Sequence, residues 1–301
     1  MLVGHQKQRQ YLQRLAKLGK IPHALLFAGP EMVGKRMVAL EFAKFLIGEE
    51  FRKELHPDLI IVEPEYLPKE AKEDPLVRGE EIKIAQIRDL IWKLSLRPYS
   101  APLKVAIIND AHLMTKDSQN CLLKTLEEPT NTTILILISE FPEALLPTIF
   151  SRCQFIKFFP VPKEEIEKYI RETGKIDGQK RVEEISRLAA GRPGLAAEIL
   201  SEPRKLEDLR TELTELAEKD LLARFQYAKA LAEKDDLREI LSAWQSLLRE
   251  FLLVSLRSRA KGIFSVLKLK NILSQMQNII FLIQNTNINQ RLALEALMLE
   301  L

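Results

Sequence analysis

Residues 23–46, HALLFAGPEMVGKRMVALEFAKFL, contain the elements that decide the fold. The apolar run Ala24–Ala28 is short and is typical of a buried strand. A turn bracketed by Gly29 and Gly34 follows it, and the apolar spacing after Lys35 is typical of an amphipathic helix. Strand, glycine-bracketed turn and helix, in this order, form the setting in which backbone N–H groups bind phosphate.

The turn fits the phosphate-loop pattern G-x-x-x-x-G-K-[ST] at every position except the last. Gly29, Gly34 and Lys35 match the pattern, but Arg36 stands where the pattern has a serine or threonine. That hydroxyl normally binds Mg²⁺, and a guanidinium has no lone pair to offer a cation. We therefore predict a genuine phosphate loop that has lost one of its metal ligands.

Composition places the chain among soluble globular proteins. Its 301 residues are 46% hydrophobic and 29% charged, which suits two or three domains. No apolar run approaches the ~20 residues that span a bilayer, and the N-terminus lacks a secretion signal, so we expect no membrane association and a cytoplasmic location. Cys121 and Cys153 lack C-x-x-C spacing, which argues against a disulfide framework or a metal site. The net charge of +3 is too small to indicate nucleic-acid binding by itself.

Short apolar runs alternate with helical patterns through the first half of the chain. Strands are predicted at Ala24–Ala28, Leu59–Val62, Val105–Asn109, Ile134–Ser139 and Phe155–Phe159. Thr115 is the expected N-cap of a helix that ends before Pro129. Trp92 and Trp244 lie on helical patterns and are predicted to be core residues. The alternation predicts an α/β fold with a parallel sheet and helices on both faces.

The strand signals end after PVPKEE (160–165), and the remaining patterns are helical. A short helical segment continues to about residue 200 and is broken at Gly191–Gly194. Leu- and Ala-rich amphipathic helices follow. We therefore predict an α/β domain over residues 1–160, a small helical domain over 161–202 and a helical C-terminal domain over 203–301.

The second metal-binding element is expected at the end of the strand Val105–Asn109. Phosphate-loop ATPases of this architecture place an Asp-Glu pair there, the Asp for the metal and the Glu for the attacking water. This chain has Asn109-Asp110 at that position. The amide lacks the charge that attracts Mg²⁺, and the shorter acid reaches less far. Because two metal positions are changed together, we predict that the loop persists as scaffold while catalysis is lost.

Several longer stretches together resemble the AAA+ clamp-loader ATPases, most closely the delta-prime family of the bacterial DNA polymerase III holoenzyme. They are IPHALLFAGPEMVGK (21–35), HPDLIIVEPE (56–65), IKIAQIRDL (82–90), KVAIINDAHLMTKDSQNCLLKTLEEP (104–129), FSRCQ (150–154), GRPGLA (191–196) and the C-terminal NINQRLALEALMLEL. LLKTLEEP followed by Ser151-Arg152-Cys153 is the most specific of these features.

The resemblance implies a RecA-like AAA+ P-loop domain, a helical lid and an all-helical collar that joins a ring of subunits. It implies motor (gamma/tau) and delta subunits as partners, and contact with the sliding clamp and primed DNA through the complex. Motor subunits keep the Ser/Thr and the Asp-Glu pair that this chain lacks. Many relatives also carry zinc-binding cysteines where this chain has GEEFRKELHPD (48–58), so we expect no zinc.

The resemblance also implies roles for individual residues. Arg152 matches the arginine finger that reaches a neighbour's γ-phosphate in trans, and Arg192 matches a second nucleotide-sensing arginine. The degenerate nucleotide site is predicted to comprise Gly29, Gly34, Lys35, Arg36, Asn109, Asp110, Ser139 and Arg192, with weak ATP or ADP binding at most and no required cofactor. The alternatives are a surface salt bridge for Arg152 and a structural helix-end charge for Arg192.

Three functions are compatible with these observations to different degrees. The leading hypothesis is a non-hydrolysing clamp-loader subunit that supplies an arginine finger. A motor-type clamp-loader ATPase is the alternative, favoured by Lys35 and opposed by Arg36 and Asn109. A nucleotide or sugar kinase is opposed by the helical C-terminal third and by the motifs around Arg152.

Overall fold

The computed structural model describes residues 2–48, 56–66, 80–129, 132–174, 178–234, 237–258, 265–285 and 288–301. The chain divides into two compact units. The first comprises Met1–Glu165 with Gly191–Pro193, and the second comprises Ile166–Ala190 with Gly194–Leu301. The finer division into an α/β domain, a lid and a collar stays a prediction.

The first unit alternates strands and helices. In chain order its elements are α1 (Gln6–Lys17), β1 (Ala24–Ala28), α2 (Lys35–Ile47), β2 (Leu59–Val62), β3 (Glu65–Tyr66), β4 (Glu80–Glu81), α3 (Ile84–Ser95), β5 (Lys104–Ile108), α4 (Lys116–Glu127), β6 (Thr133–Ser139), α5 (Pro147–Phe150) and β7 (Gln154–Lys157), with short 3₁₀ turns at Ala111–Leu113 and Pro142–Ala144. Strands β3 and β4 form a separate antiparallel pair.

Five strands of the described chain form a parallel sheet in the order β2-β5-β6-β1-β7. Side chains alternate along β1, so that Leu25 and Phe27 enter one buried cluster while Ala24 and Leu26 enter the other. A strand buried on both faces reads as a continuous apolar run, which is how β1 appears in the sequence. The predicted α/β fold with a covered parallel sheet is confirmed.

The predicted strand bounds hold for β1 and β2 and shift slightly elsewhere. Strand β5 ends at Ile108, so Asn109, the last residue of the predicted strand Val105–Asn109, follows the strand. Strand β7 begins at Gln154 and ends at Lys157, two residues before the predicted end at Phe159. The predicted N-cap is confirmed, since the Thr115 hydroxyl accepts a hydrogen bond from the Ser118 N–H at 3.2 Å.

The two tryptophans have opposite environments. Trp244 is fully buried, as predicted, but the prediction for Trp92 is wrong because 60% of that residue is exposed. Helix α3 buries Ile87, Leu90 and Leu94. At about 100° per residue, Trp92 lies on the opposite face of the helix from that stripe.

Helices make up the second unit. They are α6 (Lys163–Thr173), α7 (Gln179–Ala189), α8 (Pro193–Ser201), α9 (Pro203–Glu218), α10 (Leu221–Ala232), α11 (Leu237–Ser258), α12 (Val266–Asn285) and α13 (Gln290–Glu300). Helices α6 and α8 each begin in the first unit. Helix α10 packs on α13, and α11 packs on α12. Within the described ranges, no helix has the length and apolar character needed to cross a bilayer.

A buried carboxylate anchors the connection between α3 and β5. Asp58 Oδ1 accepts a hydrogen bond from the Tyr99 N–H at 2.7 Å, and its Oδ2 accepts from the N–H groups of Ser100 and Ala101 at 2.9 Å each. Burial tends to raise the pKa of Asp58, but the three backbone donors outweigh it, and the pKa lies below its ordinary value. The HPD segment at residues 56–58 therefore has a structural role.

Replacing Asp58 with alanine is expected to lower the free energy of unfolding by about 3 kcal/mol, because three backbone donors lose a charged acceptor. Since the folded pKa is depressed, the carboxylate's contribution is present above the unfolded pKa and is lost as the pH falls through the folded pKa. Urea unfolding should therefore show a gap between wild type and Asp58→Asn at pH 7 that shrinks in acid. Asp89→Ala, which removes only an exposed pair with Lys93, is the control; equal losses for both alanine variants would refute the anchor.

Candidate functional site

The carboxyl ends of the parallel strands bring most of the predicted nucleotide site to one edge of the sheet. The phosphate-loop residues 29–34 follow β1, Ser139 ends β6, and Asn109-Asp110 follow β5. Ala28 pairs with Ser139, and the Gly29 N–H donates to the Ser139 carbonyl at 3.2 Å. This is the edge at which open parallel sheets bind their ligands.

The loop glycines meet geometric demands that other residues cannot. A Cβ at Gly29 would lie 2.3 Å from the Phe158 carbonyl oxygen, and the φ of Gly29 is +153°. Gly34 is the N-cap of α2 with φ of +107°. The loop is therefore held close to the chain segment that follows β7, with helix α2 starting directly behind it.

Lys35 is turned onto its own loop. Its side chain is buried, and Nζ donates to the carbonyl oxygens of Gly29 at 2.5 Å and Pro30 at 2.7 Å. A phosphate at the loop would compete with these two carbonyl oxygens for the N–H donors of the ammonium. The loop thus stands at the N-terminus of α2, and its lysine is bonded to the loop's own carbonyl groups.

The residues at the two altered metal positions bond to other protein groups. Arg36 Nη2 lies 3.1 Å from Glu63 Oε1, and Asn109 Nδ2 donates to Asp110 Oδ2 at 3.1 Å. Glu63 follows β2 and Asn109 follows β5, and these strands are paired at Val62 and Ile108. The edge of the sheet that would receive Mg²⁺ therefore carries a guanidinium–carboxylate pair beside an amide.

Metal binding finds no further support in the described residues. No group of three or more His, Cys, Asp or Glu side chains is arranged there to hold an ion. Residues 49–55 of the segment compared with zinc-binding relatives lie outside the described residues.

His5 is a neighbour of the loop that sequence reasoning missed. Its Nε2 donates to the Val33 carbonyl at 2.7 Å, and its ring meets Phe158 edge-on with centroids 4.9 Å apart. Burial lowers the pKa of His5 and outweighs the hydrogen bond to Val33, which acts in the opposite direction. The neutral ring therefore packs against the loop. No motif marks this contact in the sequence, because twenty-eight positions separate the two bonded residues.

Arg152 lies at the opposite edge of the sheet, where the parallel strand β7 begins. It precedes β7, whose first residue is Gln154, whereas the phosphate loop follows the carboxyl end of the adjacent strand β1. Arg152 Nη2 lies 2.8 Å from Glu127 Oε1, and Nη1 donates to the Thr148 carbonyl at 2.9 Å. The structure thus does not bring Arg152 together with the chain's own loop.

The remaining predicted residues are buried or partly buried. Arg192 is 7% exposed at the start of α8, beside Gly191, whose carbonyl accepts a hydrogen bond from the Val161 N–H at 2.7 Å. Cys153 directly precedes β7 and packs against a buried cluster, and burial raises the pKa of its thiol to about 12. The thiol is therefore protonated at neutral pH and unsuited to nucleophilic chemistry.

This strand order, with a phosphate loop that directly follows the inner strand β1, is that of an AAA+ type of P-loop fold. The chain belongs to the family described as "DNA polymerase III, delta subunit", whose sequence profile matches residues 4–162.

Curated relatives agree with this family assignment, and a solved structure agrees with the fold. The chain is 36% identical over 162 residues to DNA polymerase III subunit delta' of Bacillus subtilis, covering 49% of this chain and 45% of the relative. It is 36% identical over 146 residues to subunit delta' of Pseudomonas aeruginosa, covering 44% and 41%. The matched stretch thus spans less than half of either relative. A DNA polymerase III gamma subunit-related protein of Thermotoga maritima shares the fold, with a TM-score of 0.53, 23% identity and coverage of 96% and 97%.

Proposed function

We propose that this chain is a delta-prime-type subunit of a clamp loader that does not hydrolyse ATP and supplies Arg152 in trans to a hydrolysing neighbour. The observation that carries the proposal is the separation of Arg152 from the chain's own phosphate loop. Strand β7 and its flanking residues lie between the two, which at ~3.3 Å per residue amounts to roughly 15 Å. An arginine at this edge is suited to a phosphate held by another chain.

The contacts of the altered metal positions support the absence of hydrolysis. Phosphoryl transfer in P-loop enzymes relies on Mg²⁺ held by the loop hydroxyl and by an aspartate at a strand end. In this chain Arg36 pairs with Glu63, and the Asn109 amide bonds to Asp110. The Arg36 guanidinium cannot ligate a cation, and the Asn109 amide lacks the negative charge of the aspartate that it replaces.

The proposed partners follow from the family. They are motor (gamma/tau) and delta subunits, with the sliding clamp and primed DNA contacted through the assembled complex during DNA replication, and the proposed location is the cytoplasm. We propose that no cofactor is required for this role, zinc included. Any ATP or ADP binding at the loop is expected to be weak, because without an ordered Mg²⁺ the phosphates lose a large part of their charge neutralisation.

A motor-type ATPase is the second candidate, and one observation favours it. Ser139 ends β6 beside the loop, and its buried hydroxyl has no hydrogen-bond partner among the described residues. Such a group is available to a bound ligand. The changes at Arg36 and Asn109 weigh against hydrolysis even if a nucleotide binds.

The purified chain is expected to release phosphate from ATP with Mg²⁺ at no more than the background rate, since both metal positions are changed. Adding it to cognate motor and delta subunits should raise the ATPase of the mixture. Steady-state phosphate release measures both. A turnover by the chain alone near 1 s⁻¹, within the usual range for phosphoryl-transfer enzymes, that disappears in Lys35→Ala would establish the motor alternative instead.

A further inference from the structure

We propose that Glu127 is a positioning residue for Arg152: its carboxylate fixes the guanidinium in the orientation from which it acts on the neighbouring subunit. This inference rests on the proposed function. Glu127 is the first of the two acids in LLKTLEEP (122–129), and the function described so far gives it no role.

The guanidinium is held from two sides. Arg152 Nη2 lies 2.8 Å from Glu127 Oε1 at the end of α4, and Nη1 donates to the Thr148 carbonyl of α5 at 2.9 Å. A longer contact of 3.4 Å joins Nη1 to the Ser151 hydroxyl. Because the anchors belong to different helices, they fix the plane of the group as well as its position.

The anchored Arg152 guanidinium still has N–H donors that a ligand can use. A guanidinium carries five N–H donors in a rigid plane, and the contacts with Glu127, Thr148 and Ser151 engage three of them. About a third of the Arg152 side chain and half of the Glu127 side chain remain exposed. A phosphate oxygen from outside can therefore meet the remaining donors without breaking the ion pair.

A half-exposed ion pair of this kind contributes little to folding, and exposed pairs are typically worth at most about 1 kcal/mol. Its effect on a reaction can be larger, because stabilisation of a developing charge depends on donors that are fixed in place beforehand. Glu127 also lowers the net charge around Arg152. We expect the gain in orientation to outweigh that loss, since the finger acts through directed hydrogen bonds as well as charge.

The test uses the complete clamp loader assembled with cognate motor subunits. Glu127→Ala is expected to lower kcat at the adjoining ATP site on the order of tenfold while leaving KM unchanged. Glu127→Gln, which keeps an acceptor oxygen, should restore most of the activity. Glu128→Ala, which removes the exposed neighbouring acid, is the matched control and should match wild type. Melting temperatures of all variants should agree, and Glu127→Ala should add nothing in an Arg152→Ala background.

The outcomes separate this inference from the function on which it rests. If Arg152→Ala lowers kcat but Glu127→Ala does not, the positioning role is wrong and the proposed function stands. If neither variant lowers kcat in an assembled complex, the proposed function itself fails. A further loss from Glu127→Ala in the Arg152→Ala background, or a rise in KM alone, would also overturn the positioning role.

Discussion

In an assembled clamp loader, Arg152→Ala is expected to lower kcat at the single adjoining ATP site by a factor on the order of 10³–10⁵, the range that arginine fingers contribute in comparable systems. Under the proposed function, the substitution removes a planar, permanently charged donor from the place where phosphoryl charge develops in the neighbour. Sites that do not border this subunit keep their own fingers. The ATPase rate of the whole complex should therefore fall by the fraction of the total turnover that the adjoining site contributes.

Assembly and folding should survive the change, because Arg152 is partly exposed and its ion pair with Glu127 lies at the surface. Arg152→Lys should not restore activity, since an ammonium cannot reproduce the planar donor fork. Arg171→Ala removes another exposed arginine, paired with Glu167 in the second unit, and should leave the ATPase unchanged. An Arg152→Ala complex that is fully assembled and hydrolyses ATP like wild type would leave Arg152 with a structural role only.

Gly29→Ala is expected to lower the free energy of unfolding by about 3–5 kcal/mol. The added Cβ would lie 2.3 Å from the Phe158 carbonyl oxygen, where backbone must move, and the φ of +153° is unfavourable for alanine. Gly19→Ala is the matched control, because Gly19 has a φ of +64° but no heavy atom within 4 Å of the added Cβ. It should cost about 1 kcal/mol from backbone strain alone.

Urea unfolding of the two glycine variants separates the contributions of contact and conformation. A loss several times larger for Gly29→Ala than for Gly19→Ala is the expected result. Equal losses would mean that the loop can move away from the Phe158 carbonyl and that the close approach between loop and sheet is not required for stability.

The fold was largely predictable because its information is local. Fully buried parallel strands appear as short apolar runs, so β1 and β2 were placed with their observed bounds. The end of β7 was less well defined, because the apolar Phe158 and Phe159 continue the run after the strand has ended. At β5 the apolar run ends with the strand at Ile108, and including the polar Asn109 extended the prediction by one residue. Trp92 was misplaced because its size favours burial, although the apolar stripe of α3 runs through Ile87 and Leu90 on the other face.

The site was predictable only in part, because its motifs are local and its pairings are not. The loop pattern identified Gly29, Gly34 and Lys35 directly. The partner of Arg36 is Glu63, and the partner of Arg152 is Glu127, and each lies about 25 residues away along the chain. Such pairs form only after the sheet order is fixed. A sequence can supply the residues but not these contacts.

The central claim is that this chain acts through Arg152 on another subunit's nucleotide and not through its own loop. Trapping of ADP with aluminium fluoride, an analogue of the transferring phosphoryl group, tests it most directly in the assembled complex. Complexes that carry Lys35→Met in this chain should trap as much nucleotide as wild type, whereas Arg152→Ala should abolish trapping at the adjoining site. Reduced trapping with Lys35→Met and normal trapping with Arg152→Ala would contradict the claim.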